Sequence, residues 1–68
     1  MSPPKRLGRV LKTLREEKGL TQVDLANKAK VGRTYIVKLE TGDKKNPSLD
    51  ILKKLAKALG VPVTDLLG

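Results

Sequence analysis

Residues 22–41 constrain the fold more than any other stretch, because their apolar residues recur at helical spacing on both sides of a short break. The break is Lys30-Val31-Gly32, three residues that suit a turn between two helices. The predicted inward positions are Leu25, Ala26 and Ala29 before the turn and Ile36 and Leu39 after it. The pattern therefore predicts two short amphipathic helices that pack against each other.

Glycines and capping residues divide the rest of the chain into three further helices. With no alternating strand pattern and no internal repeat, residues 1–68 are expected to form one compact, all-α domain of five helices. The predicted boundaries are a leader over 1–4, a first helix ending at Gly19, a second capped by Thr21, a third over 33–41, a fourth from the Ser48 cap to Gly60, and a fifth over 63–67.

The composition limits what can stabilise or react in so small a domain. The 68 residues include no cysteine and no histidine, which excludes disulfides, thiolate metal sites and the usual proton shuttle. Tyr35 is the one aromatic residue, so the core must be aliphatic. The carboxylates are scattered along polar faces. We therefore expect no enzyme activity, no cofactor, no metal and no small-molecule ligand.

The charge indicates a polyanionic partner. Fifteen Lys and Arg against seven Asp and Glu give a net charge of +8, and most of the excess lies before residue 48. A basic surface also serves solubility, so charge alone does not settle the partner. No apolar run approaches the roughly 18–20 residues that span a bilayer, and the N-terminus lacks the apolar region of a secretory signal. A cytoplasmic protein with no membrane partner is expected.

The third helix exposes side chains of the kinds that contact base-pair edges. If Ile36 and Leu39 face inward, helix periodicity directs four residues outward. Arg and Lys can donate to guanine, Thr to a base edge, and Val can contact a thymine methyl. The simpler alternative is a solvated face with one incidental valine. The predicted base-reading residues are Arg33, Thr34, Val37 and Lys38.

The fourth helix has a wider apolar arc than one packed face requires. Two explanations remain open: the short fifth helix folds back over the excess, or a second copy of the chain covers it. Under the second explanation the predicted dimer interface comprises Ile51, Ala58, Val63, Leu66 and Leu67.

The chain resembles the phage-repressor and Cro-like helix-turn-helix proteins of bacteria, the Xre family. Four motifs covering most of the chain carry the resemblance: LREEKGLTQVDLA over 14–26, TYIVKLETG over 34–42, NPSLDILKKLAKALGV over 46–61, and PVTDLL over 62–67. The resemblance implies a five-helix, lambda-repressor-like DNA-binding domain whose third helix lies in the major groove. It also implies an ion pair between Arg15 and Glu40, and a phosphate contact by Gln22 at the start of helix two.

Further phosphate contacts are expected around the helix-turn-helix, where they would set its register on a duplex. The predicted phosphate-binding residues are Gln22, Asn27, Lys28, Lys44, Lys45 and Asn46.

Two positions depart from the family pattern. Lys30 stands where the family usually has glycine, and a left-handed backbone there would cost on the order of 1 kcal/mol. Gly32 stands where the family usually caps the reading helix with Ser or Thr. Either the turn is shifted by a residue or two, or the strain is tolerated.

The sequence therefore predicts a sequence-specific, double-stranded DNA-binding transcriptional regulator. It would act as a homodimer on a two-fold-related operator and read the major groove with helix three. The alternative is an antitoxin-like or anti-repressor module that uses the same fold to hold a protein partner.

Overall fold

The structure, a computed structural model, describes residues 3–43 and 47–67, with side chains from Arg6 onward. No strand occurs in this part of the chain. The all-α architecture expected from the sequence is confirmed. The helices of the described residues are α1 (Pro3–Glu17), α2 (Gln22–Ala29), α3 (Arg33–Thr41), α4 (Leu49–Leu59) and α5 (Thr64–Leu67).

The first helix begins earlier than predicted. Pro3 is its first residue, so residues 3 and 4 belong to α1 and not to the predicted leader over 1–4. Proline is tolerated there because the first turn of a helix leaves its N–H groups unpaired in any case. At 15 residues, α1 is the longest helix of the described chain, and neither it nor the others could cross a membrane.

Side-chain caps begin α2 and α4, as predicted. The Thr21 hydroxyl accepts the backbone N–H of Asp24 at 3.0 Å, and the Asp24 carboxylate accepts the N–H of Thr21 at 3.0 Å. This reciprocal capping box lowers the pKa of Asp24, chiefly through the N–H of Thr21. At α4, the Ser48 hydroxyl accepts the N–H of Ile51 at 3.2 Å. Both caps fix where their helices start.

The core is aliphatic and draws on all five helices. The five inward positions predicted for α2 and α3 are all buried, with Leu25, Ile36 and Leu39 at 0% exposure. Since α3 is anchored by two fully buried side chains, its rotation about its own axis is fixed. The core residues are Leu11, Leu25, Ala26, Ala29, Ile36, Leu39, Leu52, Leu55, Ala56, Leu59 and Leu66.

The last helix corrects one prediction. Leu66 is only 5% exposed and belongs to the core of its own chain, so its assignment to a dimer interface is wrong. The helix α5 folds back onto α1 and α4. It therefore covers part of the wide apolar arc of α4, as the first of the two explanations expects. Ile51, Ala58 and Val63 are half-buried against the same core, whereas Leu67 remains 58% exposed.

Gly8 allows α1 and α3 to approach closely, a role that the sequence analysis missed. A Cβ built at this position would lie 2.5 Å from the Leu39 carbonyl oxygen and 3.0 Å from that of Glu40. Both atoms belong to the backbone of α3, so they cannot rotate away. The separation of the two helices is therefore set by the lack of a side chain at Gly8.

We expect Gly8→Ala to lower the free energy of unfolding by about 1–3 kcal/mol, because the added methyl group forces α3 away from α1. At an ordinary helical position the same change would raise stability by roughly 0.5–1 kcal/mol. Urea denaturation measures the difference. Gly32→Ala is the control for the added methyl group: a Cβ there meets nothing within 4 Å, so this variant should lose only the N-cap preference for glycine over alanine. A stabilised Gly8→Ala variant would refute the close approach.

Candidate nucleic-acid interface

The exposed side of α3 carries three of the four predicted base-reading residues. Arg33, Thr34 and Lys38 are exposed, and Val37 is half-buried beside them. They lie opposite Ile36 and Leu39, both at 0% exposure. The helix thus presents two cations, a hydroxyl and a methyl-bearing side chain on a surface that its own core does not use. This set supplies donors for base edges together with an apolar contact.

A buried ion pair holds the C-terminal end of α3, where Glu40 lies. Arg15 Nε lies 2.7 Å from Glu40 Oε2, and Arg15 Nη2 lies 3.0 Å from Glu40 Oε1. The two side chains are 9% and 4% exposed. Arg15 Nη1 also donates to the carbonyl oxygen of Leu20 at 2.8 Å. The hydrogen bond to Glu40 is the main cause that raises the pKa of Arg15 above its ordinary value.

This pair is the one that the family resemblance implies. Its two parallel N–H···O bonds tie the end of α1 to the end of α3, and the bond to Leu20 extends the link to the turn before α2. Removing one partner of such a buried pair costs about 3–5 kcal/mol, because the remaining charge is left without compensation. The pair therefore supports the orientation of α3.

Gln22, the first residue of α2, belongs to the same network. Its Nε2 donates to Glu40 Oε1 at 3.1 Å. The family resemblance implies that this carboxamide contacts a phosphate. One of its N–H groups already donates to Glu40, a residue of α3. The second N–H of the amide group is left for another acceptor.

The backbone around Gln22 suits an anion. In the first turn of α2, the N–H of Asp24 is bound by the Thr21 hydroxyl, and the N–H of Leu25 by the Thr21 carbonyl. Within the described chain this leaves the N–H groups of Gln22 and Val23 as the unpaired donors of that turn. Two free N–H groups at the positive end of a helix are favourable for a phosphate oxygen.

The turn between α2 and α3 keeps its expected position and is strained. Lys30 ends α2 in the left-handed conformation, with φ 58° and ψ 44°, and its N–H donates to the Ala26 carbonyl. The helix α3 starts directly afterwards at Arg33, with Gly32 as an N-cap that provides no side-chain hydrogen bond. Of the two explanations left open by the sequence, the strained turn is correct and the shifted turn is wrong.

The remaining predicted phosphate-binding residues divide into two groups. Asn27 and Lys28 lie on α2 and are exposed. Lys44, Lys45 and Asn46 lie outside the described residues. Asn27 and Lys28 are therefore accessible to the phosphates of a duplex.

A groove of about 490 Å³ between α2 and α4 was not anticipated from the sequence. Two of its lysines, Lys54 and Lys57, are exposed residues of α4. The groove forms because α4 packs on α2, which brings Lys28 and Lys30 close to Lys54 and Lys57. Spacing along the sequence does not reveal this contact between helices. The lining residues are Lys28, Ala29, Lys30, Lys54, Lys57 and Ala58.

Known proteins match this chain over most of its length. A family model described as Helix-turn-helix (HTH_3) matches residues 11–66. The chain is similar to the immunity repressor protein of Bacillus phage phi105, at 44% identity over 62 residues that make up 91% of this chain and 42% of that protein. It is 38% identical to the transcriptional regulator SinR of Bacillus subtilis, covering 90% of this chain and 55% of that one. The chain therefore spans about half the length of these curated relatives.

Two solved structures share the fold closely. One is the master regulator for biofilm formation SinR in complex with DNA, with a TM-score of 0.89, 37% identity, and coverage of 91% of this chain and 98% of that one. The other is the restriction-modification controller protein C.AhdI from Aeromonas hydrophila, with a TM-score of 0.87, 37% identity, and coverage of 91% and 92%.

We expect Lys30→Gly to be more stable than Lys30→Ala by about 1 kcal/mol, because glycine adopts the left-handed conformation without the Cβ penalty. Both variants lose the same positive charge, so their difference isolates the backbone preference. Thermal and urea unfolding of the two variants measure it. An alanine variant at least as stable as the glycine variant would show that this turn is not left-handed in solution.

Proposed function

Because the chain belongs to the helix-turn-helix family, we propose that it is a sequence-specific transcriptional regulator that binds double-stranded DNA through the exposed side of α3. The relatives support this role, since they carry the names of an immunity repressor and of transcriptional regulators. The role is not enzymatic. One observation carries the proposal: Arg33, Thr34 and Lys38 are exposed directly opposite a fully buried Ile36 and Leu39.

Base reading follows from the chemistry of that face. Arg33, at the first position of α3, donates two parallel hydrogen bonds to O6 and N7 of a guanine. Thr34 donates to or accepts from a neighbouring base edge, and Val37 contacts a thymine methyl group. Lys38, in the last turn of α3, reaches a guanine or a phosphate. The helix lies in the major groove with its N-terminal residues deepest.

Backbone contacts position that helix without selecting a sequence. The start of α2 holds one phosphate through the N–H groups of Gln22 and Val23 and the Gln22 carboxamide. Asn27 and Lys28 bind further along the same strand, and Lys44, Lys45 and Asn46, which follow α3 in the sequence, complete the set. The net charge of +8 makes this part of the affinity strongly dependent on salt.

Two copies of the chain bind a two-fold-related operator in this proposal. What supports it is the apolar surface that remains at α4 and α5 after Leu66 is buried. Leu67, on α5, is 58% exposed. Ile51 and Ala58 on α4, and Val63 directly before α5, are half-buried. A second copy that covers these side chains removes apolar area from water. The two reading helices then face successive turns of the major groove.

Selection of bound sequences from random duplexes tests the proposal. The wild-type protein should enrich two inverted half-sites about one helical turn apart. Arg33→Ala should relax one position in each half-site by about 1–3 kcal/mol, because the guanine contact is lost. Lys28→Ala should instead weaken all sequences alike and reduce the salt slope by about one.

Lys53→Ala is the matched control, because Lys53 is exposed on α4 and has no assigned contact. It should leave the enriched sequence unchanged. Enrichment of a single half-site would contradict the homodimer. Failure to enrich any sequence would contradict the reading function and favour a module that binds a protein partner.

A further inference from the structure

Glu40 binds more donors than its ion pair requires. Its Oε2 accepts Arg15 Nε at 2.7 Å, and its Oε1 accepts both Arg15 Nη2 at 3.0 Å and Gln22 Nε2 at 3.1 Å. The two bonds from Arg15 already compensate the carboxylate charge. The third bond adds a residue from α2, so that one side chain of α3 links three helices. With 4% exposure, this carboxylate is held in place by its surroundings.

The third bond determines which way the Gln22 carboxamide is turned. A carboxylate only accepts hydrogen bonds, so the NH₂ end of the amide must face Glu40 and the oxygen end must face away. The flipped arrangement would bring two acceptors together. One N–H of the group is bound to Glu40, and the planar geometry directs the other away from that oxygen. Gln22 is half-buried, so part of the residue remains open to a ligand.

The same bond restricts the side chain before any ligand arrives. A free glutamine side chain loses considerable rotamer entropy when it is fixed. In this protein that loss occurs on folding, beside the unpaired N–H groups of Gln22 and Val23. A donor already oriented at an anion-binding helix start binds more tightly than one that must be ordered on binding.

We propose that Glu40 is a positioning residue for DNA binding: it orients the Gln22 carboxamide so that the second N–H donates to a phosphate oxygen at the start of α2. The inference rests on the proposed function. It gives Glu40 a role beyond stability, because a carboxylate near DNA would otherwise only repel phosphate. Loss of its charge alone would tighten binding, whereas loss of the positioning bond weakens it.

A double-mutant cycle in DNA affinity separates these effects. Glu40→Met, which removes both acceptor oxygens, should weaken binding to the selected duplex by about three- to tenfold, the range expected for one lost hydrogen bond. In a Gln22→Ala background, the same change should have no such effect. In an Arg33→Ala background it should weaken binding as much as in the wild type, because Arg33 does not contact Glu40. All affinities are measured where circular dichroism shows the variants fully folded.

Equal weakening in the Gln22→Ala background would overturn the proposal and leave Glu40 with a structural role alone. Tighter binding by Glu40→Met would do the same. If the wild type binds no duplex, the proposed function fails, and the orientation of Gln22 is still tested by the next measurement.

Side-chain ¹⁵N relaxation of the free wild-type protein provides a test that needs neither DNA nor a variant. The Gln22 amide should be ordered nearly as well as rigid backbone, with an order parameter approaching about 0.85. Asn27 is the control, because it carries the same group in an exposed position on the same helix and should be mobile. A Gln22 amide as mobile as that of Asn27 would refute the positioning role whatever the affinities show.

Discussion

The buried Arg15–Glu40 pair is the interaction on which the rest of the structure depends. Its two short bonds join α1 to α3, and the same side chains reach Leu20 before α2 and Gln22 within it. A domain of this size with an aliphatic core and no disulfide has few ways to fix the relative angle of its helices. A paired charge with 9% and 4% exposure restricts it, since a packing that separated the two groups would leave a buried charge uncompensated.

Two backbone features complete the placement of α3. At one end, Gly8 lets α1 approach the carbonyl groups of Leu39 and Glu40, which brings Arg15 within reach of its partner. At the other end, the left-handed Lys30 turns the chain sharply enough for α3 to start at Arg33. The helix α3 is therefore held at both ends, and its exposed face follows from the rotation that Ile36 and Leu39 impose.

Most of the fold could be predicted, because periodicity and caps are local signals. The buried positions of α2 and α3 and the starts at Thr21 and Ser48 follow from them directly. The assignment of Leu66 to a dimer interface was wrong because apolar spacing predicts that a helix face is buried. It does not predict whether the same chain or a second copy buries that face. Gly8 was missed for a related reason: close approach depends on distance between helices, which sequence spacing does not encode. The exposed positions of Arg33, Thr34 and Lys38 could be predicted as well, because helix periodicity places them opposite Ile36 and Leu39.

One surface, the exposed side of α3, connects the fold to the proposed role. The hydrogen bonds among Arg15, Glu40 and Gln22 fix the orientation of α3. The exposed side of α3 carries the residues that are proposed to contact DNA. Chemical-shift mapping of the ¹⁵N-labelled protein during titration with a selected duplex tests this most directly. The largest changes should fall on the amides of residues 33–38 and at the start of α2. Changes confined to α4 and α5, with α3 unaffected, would contradict it.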